Sequence, residues 1–187
     1  KTCLTKNLNV SWKAPLEENQ KRIDLYNMTF IFKKKQMQYN NPANIEIGQG
    51  YAGEVEGQTY ADRFAVFDSP QMGVRALFRD LMTKIERHKG DINAIMNQFA
   101  PTHENDTVKY SDYVMSQVGK QQVTMDDLPS MAKAIIEYEN GIKSPLTSIY
   151  LQDIVFNEAL ELSKHSMPKD YTLEKARSFM SNLQESK

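Results

Sequence analysis

Apolar positions divide the chain into an irregular beginning, a turn-rich middle and a long helical remainder. Up to about Lys35 no period persists: Trp12 and Pro15 lead into the charged stretch 17–24, and only Met28-Thr29-Phe30-Ile31-Phe32 reads as a short strand. Between Tyr39 and Phe67, glycines at 48, 50, 53 and 57 separate β-prone pieces, the pattern of short strands joined by turns. Helical spacing follows. Ser69-Pro70 supplies a cap and a proline at the first helical position, and Met72, Ala76, Leu77, Leu81 and Ile85 carry the apolar stripe to His88. Asp91 can cap a helix bearing Ile92, Ile95, Met96 and Phe99, stopped by Pro101. Asp106 can cap another, bearing Tyr110, Tyr113 and Val114 and ended by Gly119. Further helices are predicted over 128–140, stopped by Gly141, and over 146–164, stopped before Pro168, with a weaker amphipathic stretch over 173–183. With no internal repeat, the expected class is α+β, mostly α, with one small β-hairpin region near the beginning.

The 187 residues can bury one sizeable core. The expected division is an N-terminal arm over 1–38, a main domain over 39–165 and a C-terminal helical tail over 166–187. With 23 basic and 24 acidic residues the net charge is -1, which argues against a nucleic-acid partner. No apolar run reaches the ~18 residues of a membrane span. The single Cys3 excludes an internal disulfide, and His88, His103 and His165 are too dispersed for a metal motif, so no metal or cofactor is expected. No standard phosphate loop or serine nucleophile elbow occurs. Starting at Lys rather than Met, the sequence fits a processed product or a segment of a longer protein.

Candidate chemistry centres on the helix predicted at 128–140. At ~100° per residue, Leu128, Ala132, Ile135, Ile136 and Glu139 share a stripe, so Glu139 closes an apolar face, whereas Glu137, four residues after Lys133, suits a solvated ion pair. A carboxyl group at the end of such a stripe is partly desolvated, which favours its neutral form. A general acid for glycoside cleavage needs this property, with a second carboxylate or the substrate's own acetamido group stabilising the developing charge. The alternative is an idle glutamate in a frayed last turn. Candidates for the second carboxylate are Glu54, Glu56 and Asp62. Alternation puts Glu54 and Glu56 on one side of a strand, although a solvated hairpin edge has the same pattern. Tyr39, Tyr51, Tyr60, Tyr110 and Tyr113 are sugar-stacking platforms or core aromatics. Lys33-Lys34-Lys35 reads as a solvated strand end.

Asn40-Asn41-Pro42-Ala43-Asn44-Ile45, followed by a glycine-rich region and Phe64-Ala65-Val66-Phe67-Asp68-Ser69-Pro70-Gln71-Met72-Gly73-Val74-Arg75-Ala76, resembles a family of phage virion proteins. These lysozyme-like peptidoglycan hydrolases carry N-N-P-G-N-I and F-x-x-F-x-S-P-x-x-G-x-R-A. The resemblance continues through Phe99-Ala100-Pro101 and Glu104-Asn105-Asp106-Thr107, covering 40–119. The same order of motifs is similar to bacterial N-acetylglucosaminidases of lysozyme-like fold, in which the glutamate-bearing helix precedes the N-N motif. Here no glutamate lies between Ile23 and Asn41. Instead, the segment ending Glu139-Asn140-Gly141 resembles the lytic-transglycosylase segment ending E-S-G, with Glu139 in the place of the catalytic acid.

The resemblance implies a circularly permuted lysozyme-like domain in which Asn40, Asn41 and Asn44 shape the groove and Tyr110 lines it. Ala43 replaces the family's glycine, and Phe99 its tryptophan. The function it implies is cleavage of bacterial peptidoglycan strands by a muramidase, glucosaminidase or lytic transglycosylase carried in the virion and acting in the periplasm or cell wall. The alternative is a structural or ejected virion protein that retains the fold without cleaving, packed on other virion proteins.

Overall fold

A computed structural model describes residues 39–101 and 106–185. The arm expected over 1–38, with its strand at 28–32, lies outside them, as does His103. Strand β1 (Glu54–Tyr60) pairs antiparallel with β2 (Phe64–Phe67), with Tyr60 opposite Phe64, Glu54 opposite Phe67 and an irregular register between. At the tip, Ala61 and Asp62 take positive φ of 50° and 55°, uncommon for residues other than glycine.

Ahead of β1, the Asn40–Ile45 turn lies along β2. Phe67 donates its N–H to the Tyr39 carbonyl and Ala65 to that of Ile45, both at 2.9 Å. Buried Asn41 accepts from the Ile45 N–H and donates to the Ile45 and Ala65 carbonyls, each at 2.9 Å. Its amide therefore does the pairing that a regular strand would otherwise do. The turn's positive angles fall on Asn40 (50°) and Asn44 (51°), a residue type that tolerates them, so the alanine at 43 needs no unusual backbone.

Helix α1 (Pro70–Arg87) is the hub, packing against β2 and several later helices. Its Ser69 cap accepts from the Met72 N–H, and Met72, Val74, Ala76, Leu77, Phe78 and Leu81 have no exposed surface. Helices α2 (Ile92–Phe99) and α3 (Thr107–Val118) begin at the aspartate caps, where the Asp91 and Asp106 carboxylates accept from Ala94 and Lys109. Gly119 ends α3 in the left-handed conformation. A 3-10 turn at Met125–Asp127 leads into α4 (Leu128–Asn140), which stops at Gly141 with φ 83°.

The helix expected over 146–164 is two helices, α5 (Pro145–Tyr150) and α6 (Asp153–Ser163), and the apolar spacing explains the correction. Leu146 and Tyr150 project a stripe onto 154, yet Ile154 is 72% exposed and Val155 is buried. The stripe slips by one position, and the break at Gln152, with extended ψ of 134°, lets both halves face the core.

Buried Arg75 donates from Nε and Nη2 to the Leu162 and His165 carbonyls, satisfying the end of α6. Burial, with Arg79 alongside, pulls its guanidinium down to about 10. Helix α7 (Leu173–Glu185), in the region expected as a tail, buries Ala176. Asp68 Oδ2 accepts from the Leu173 N–H at 2.7 Å, and Arg177 grips Glu158 of α6 through two nitrogens. Among the described residues no helix is long and apolar enough to cross a membrane.

Gly73, in the first turns of α1, meets the Asn40–Ile45 turn so closely that a Cβ there would stand 1.6 Å from the Asn40 carbonyl oxygen. Gly73→Ala is therefore expected to cost about 1–3 kcal/mol or more in urea unfolding, through overpacking against backbone. Gly57→Ala, at φ 72° but with open space around it, should cost only its backbone strain, about 1 kcal/mol. A Gly73 variant as stable as the Gly57 variant would contradict this packing.

Candidate active site

The last turn of α4 carries Glu139 to the Asn40–Ile45 turn. Its stripe of Leu128, Ala132, Ile135 and Ile136 is buried, leaving Glu139 half-buried at the edge of the core. Next to it, Asn140 donates Nδ2 to the Pro42 carbonyl at 2.8 Å and to Ile136 of its own helix at 2.9 Å. The end of α4 is thereby fixed against the turn.

Each carboxylate oxygen of Glu139 has its own donor: the Tyr110 hydroxyl on Oε1 at 2.8 Å and the Asn44 Nδ2 on Oε2 at 2.9 Å. Burial pushes the carboxyl above the ordinary glutamate range, and the two hydrogen bonds pull the other way without cancelling it. Tyr110 is 1% exposed, stacks on Tyr138 at 3.8 Å and supports Glu139 from beneath, so it does not form a groove wall. Its phenol is raised strongly by burial and by the neighbouring carboxylate, which keeps it a donor.

Glu139 opens onto a groove of about 440 Å³. One wall is the hairpin side, with Asn44, Glu46, Arg63 and Phe64; the other comes from α1 and α2, with Asp80, Lys84 and Phe99. Both other carboxylates in the groove lining are paired. Glu46 meets Arg63 at 2.5 Å, while Asp80 pairs with Lys84 and accepts from the Tyr51 hydroxyl at 3.2 Å.

The sequence-derived candidates separate. Glu139 and Asn44 meet in the groove, across 95 positions of sequence. Asn40 and Asn41 bond to backbone, Asn40 through Nδ2 to the Phe67 carbonyl at 2.9 Å, and so shape the turn from within. Glu54 and Glu56 lie on β1 outside the groove lining: Glu54 accepts the Gly48 N–H at 2.9 Å, and Glu56 is exposed. Asp62 occupies the hairpin tip. Glu137 accepts from Tyr113 at 3.3 Å, and among the described residues no ion pair forms with Lys133.

Sequence reasoning did not single out Glu46, Arg63, Asp80 or Lys84 as groove residues. The Asp80/Lys84 spacing of four was legible, but thousands of exposed helices carry such pairs, and only tertiary packing turns this one inward. Phe99 does line the groove, its ring under the Lys84 ammonium at 5.7 Å. Among the described residues no group of three or more His, Cys, Asp or Glu comes together to hold a metal.

No family model matches the chain. Over 109 residues it is 33% identical to Protein P5 of Pseudoalteromonas phage PM2, a match spanning 54% of this chain and 68% of that protein. The chain belongs to the family of this phage protein. Members of the P5 family thus include a protein encoded by a bacterial virus, which agrees with the phage origin that the motifs imply.

Because the folded chain holds the Glu139 proton at pH values where the unfolded chain, near 4.3, has released it, this residue's contribution to stability declines as pH rises between the two values. Glu139→Gln removes the titration. The stability of wild type relative to the variant should therefore fall through that interval and level off above it in urea unfolding at stepped pH. A difference that is flat, or that climbs with pH, would contradict the burial of Glu139.

Proposed function

We propose that this member of the P5 family is a virion-associated enzyme that cleaves the glycan strands of bacterial peptidoglycan, with Glu139 as its acid. The observation that carries the reading is the half-buried Glu139 carboxyl, raised by burial, held at both oxygens and opening on a groove. Such a group holds its proton to higher pH than an exposed glutamate, the direction a general acid needs, and its orientation is set before substrate arrives.

A single-carboxylate mechanism suits this groove best, because Glu46 and Asp80 are committed to Arg63 and Lys84. Glu139 protonates the bridging oxygen as the C1–O bond breaks, and the leaving sugar departs as an alcohol. The acetamido oxygen of the retained sugar bonds to C1 and carries the charge. The ionised Glu139 then takes a proton from that sugar's own C6 hydroxyl, whose oxygen closes on C1 and releases the acetamido group. This is the lytic-transglycosylase outcome among the glycan cleavages considered. A lysozyme-like fold, permuted so that the acid helix follows the hairpin, is part of the same proposal; the junction of α4 with the 40–45 turn supports it.

A second reading, a virion protein that holds glycan without cutting it, is favoured by one feature: both Glu139 oxygens accept hydrogen bonds, which support the ionised form. Digestion of purified peptidoglycan separates the two. Wild type is expected to release fragments with anhydro ends, identified by mass, and Glu139→Gln to release them at least 10²-fold more slowly. Equal release by wild type and variant would overturn the acid, and no release by wild type from the host's own wall would leave the binding protein standing. If cleavage occurs, its alkaline limb should follow the raised Glu139 carboxyl, with activity lost as pH climbs through it.

A further inference from the structure

We propose that Tyr60 is a positioning residue of the Glu139 site, its hydroxyl holding the exposed Asn44 side chain in place so that the amide nitrogen stays on the carboxylate. Its relevance to catalysis rests on the reading of Glu139 as an acid, but the coupling itself can be measured without turnover.

An asparagine amide has one accepting end and one donating end, and an ionised carboxylate only accepts. Whenever Glu139 is ionised, Asn44 must therefore present Nδ2 to it. With the amide reversed, Oδ1 would stand against Oε2, acceptor against acceptor. Asn44 is exposed and sits in a turn at φ 51°, so packing does not choose between the two orientations. The ionised carboxylate chooses, because it only accepts, and Tyr60 holds the chosen amide in place: its hydroxyl donates to Asn44 Oδ1 at 2.6 Å while Nδ2 donates to Glu139 at 2.9 Å.

The Tyr60 ring is itself held. It stacks on Tyr39 with centroids 4.3 Å apart and planes 8° from parallel, and it packs tilted against Phe64 at 5.2 Å. These contacts occupy the ring and make it a support, not a free platform for a sugar. Burial raises its phenol, with Tyr150 of α5, Glu139 and Tyr39 acting in the same direction, so the hydroxyl keeps its proton. The sequence therefore runs Tyr39, Tyr60, Asn44, Glu139, from hairpin to acid. The other titratable groups around Glu139 are Tyr110 beneath it and the two ion pairs of the groove. Tyr60→Phe removes none of them.

The test is a carboxyl-carbon NMR titration of Glu139, its resonance identified by loss in Glu139→Gln, in wild type, Tyr60→Phe, Asn44→Ala and the double variant. Asn44→Ala should move the midpoint up by about one pH unit, the effect of losing one hydrogen bond to the charged form. Tyr60→Phe should move it at least half as far in the same direction, and the double variant no further than Asn44→Ala alone. Tyr39→Leu, which removes the stack and no hydrogen bond, is the second variant and should shift it the same way. An unmoved midpoint in Tyr60→Phe, or shifts that add in the double variant, would overturn the proposal. Coupling seen in a chain that does not cleave peptidoglycan would sink the enzymatic reading alone.

Discussion

The Asn40 carbonyl oxygen occupies the space in which any residue but glycine at position 73 would carry its side chain. That close approach of backbone to helix sets the depth at which the Asn40–Ile45 turn lies against α1, and the site depends on it. Asn41 closes the turn on itself through two hydrogen bonds with Ile45 and fastens it to β2 through a third, to the Ala65 carbonyl, and Asn140 fastens it to α4 through the Pro42 carbonyl. Asn44 is thereby delivered to Glu139. A shift of the turn by the width of one methyl group would carry Asn44 out of hydrogen-bonding range, since such bonds weaken steeply beyond their usual 2.7–3.2 Å.

Around Glu139 two opposed effects meet. Burial at the end of an apolar stripe disfavours the carboxylate, while Tyr110 and Asn44 favour it, and burial is the larger effect. A fully apolar niche would lock the proton on; a fully hydrogen-bonded one would strip it off. The arrangement leaves a carboxyl whose proton is retained above the ordinary range yet can still be transferred, with Tyr110 behind it and a groove in front. Pairing Glu46 and Asp80 with cations keeps two further negative charges from adding to that shift.

Much of this could be read in the sequence where local rules decide. Ser69-Pro70, Asp91, Asp106, Gly119 and Gly141 mark helix ends because capping is a contest between neighbouring residues. The apolar stripe of α4 placed Glu139 at the core's edge for the same reason. The single helix over 146–164 failed because the slip from Tyr150 to Val155 is decided by what lies across from each half, not by propensity. The second carboxylate could not be read either: alternation on β1 is indifferent to which side faces the groove, and the irregular register left Glu54 and Glu56 outside its lining. Tyr110 was legible as a site residue by motif, but its place beneath Glu139 follows from its burial in α3 against Tyr138.

The motifs singled out in the sequence acquire separate physical meanings here. The paired asparagines build a turn, Gly73 admits it, and Arg75 closes the end of α6, so much of the pattern records how a fold is held together. The proposed chemistry rests on Glu139 and its donors. The most direct test of that division is a crystal structure of Glu139→Gln with a peptidoglycan glycan tetramer bound. The account predicts a strand lying in the groove between the hairpin and α1, with a bridging oxygen about 3 Å from the side chain at 139; a glycan bound elsewhere, or crossing the groove with no bridging oxygen near that side chain, would contradict it.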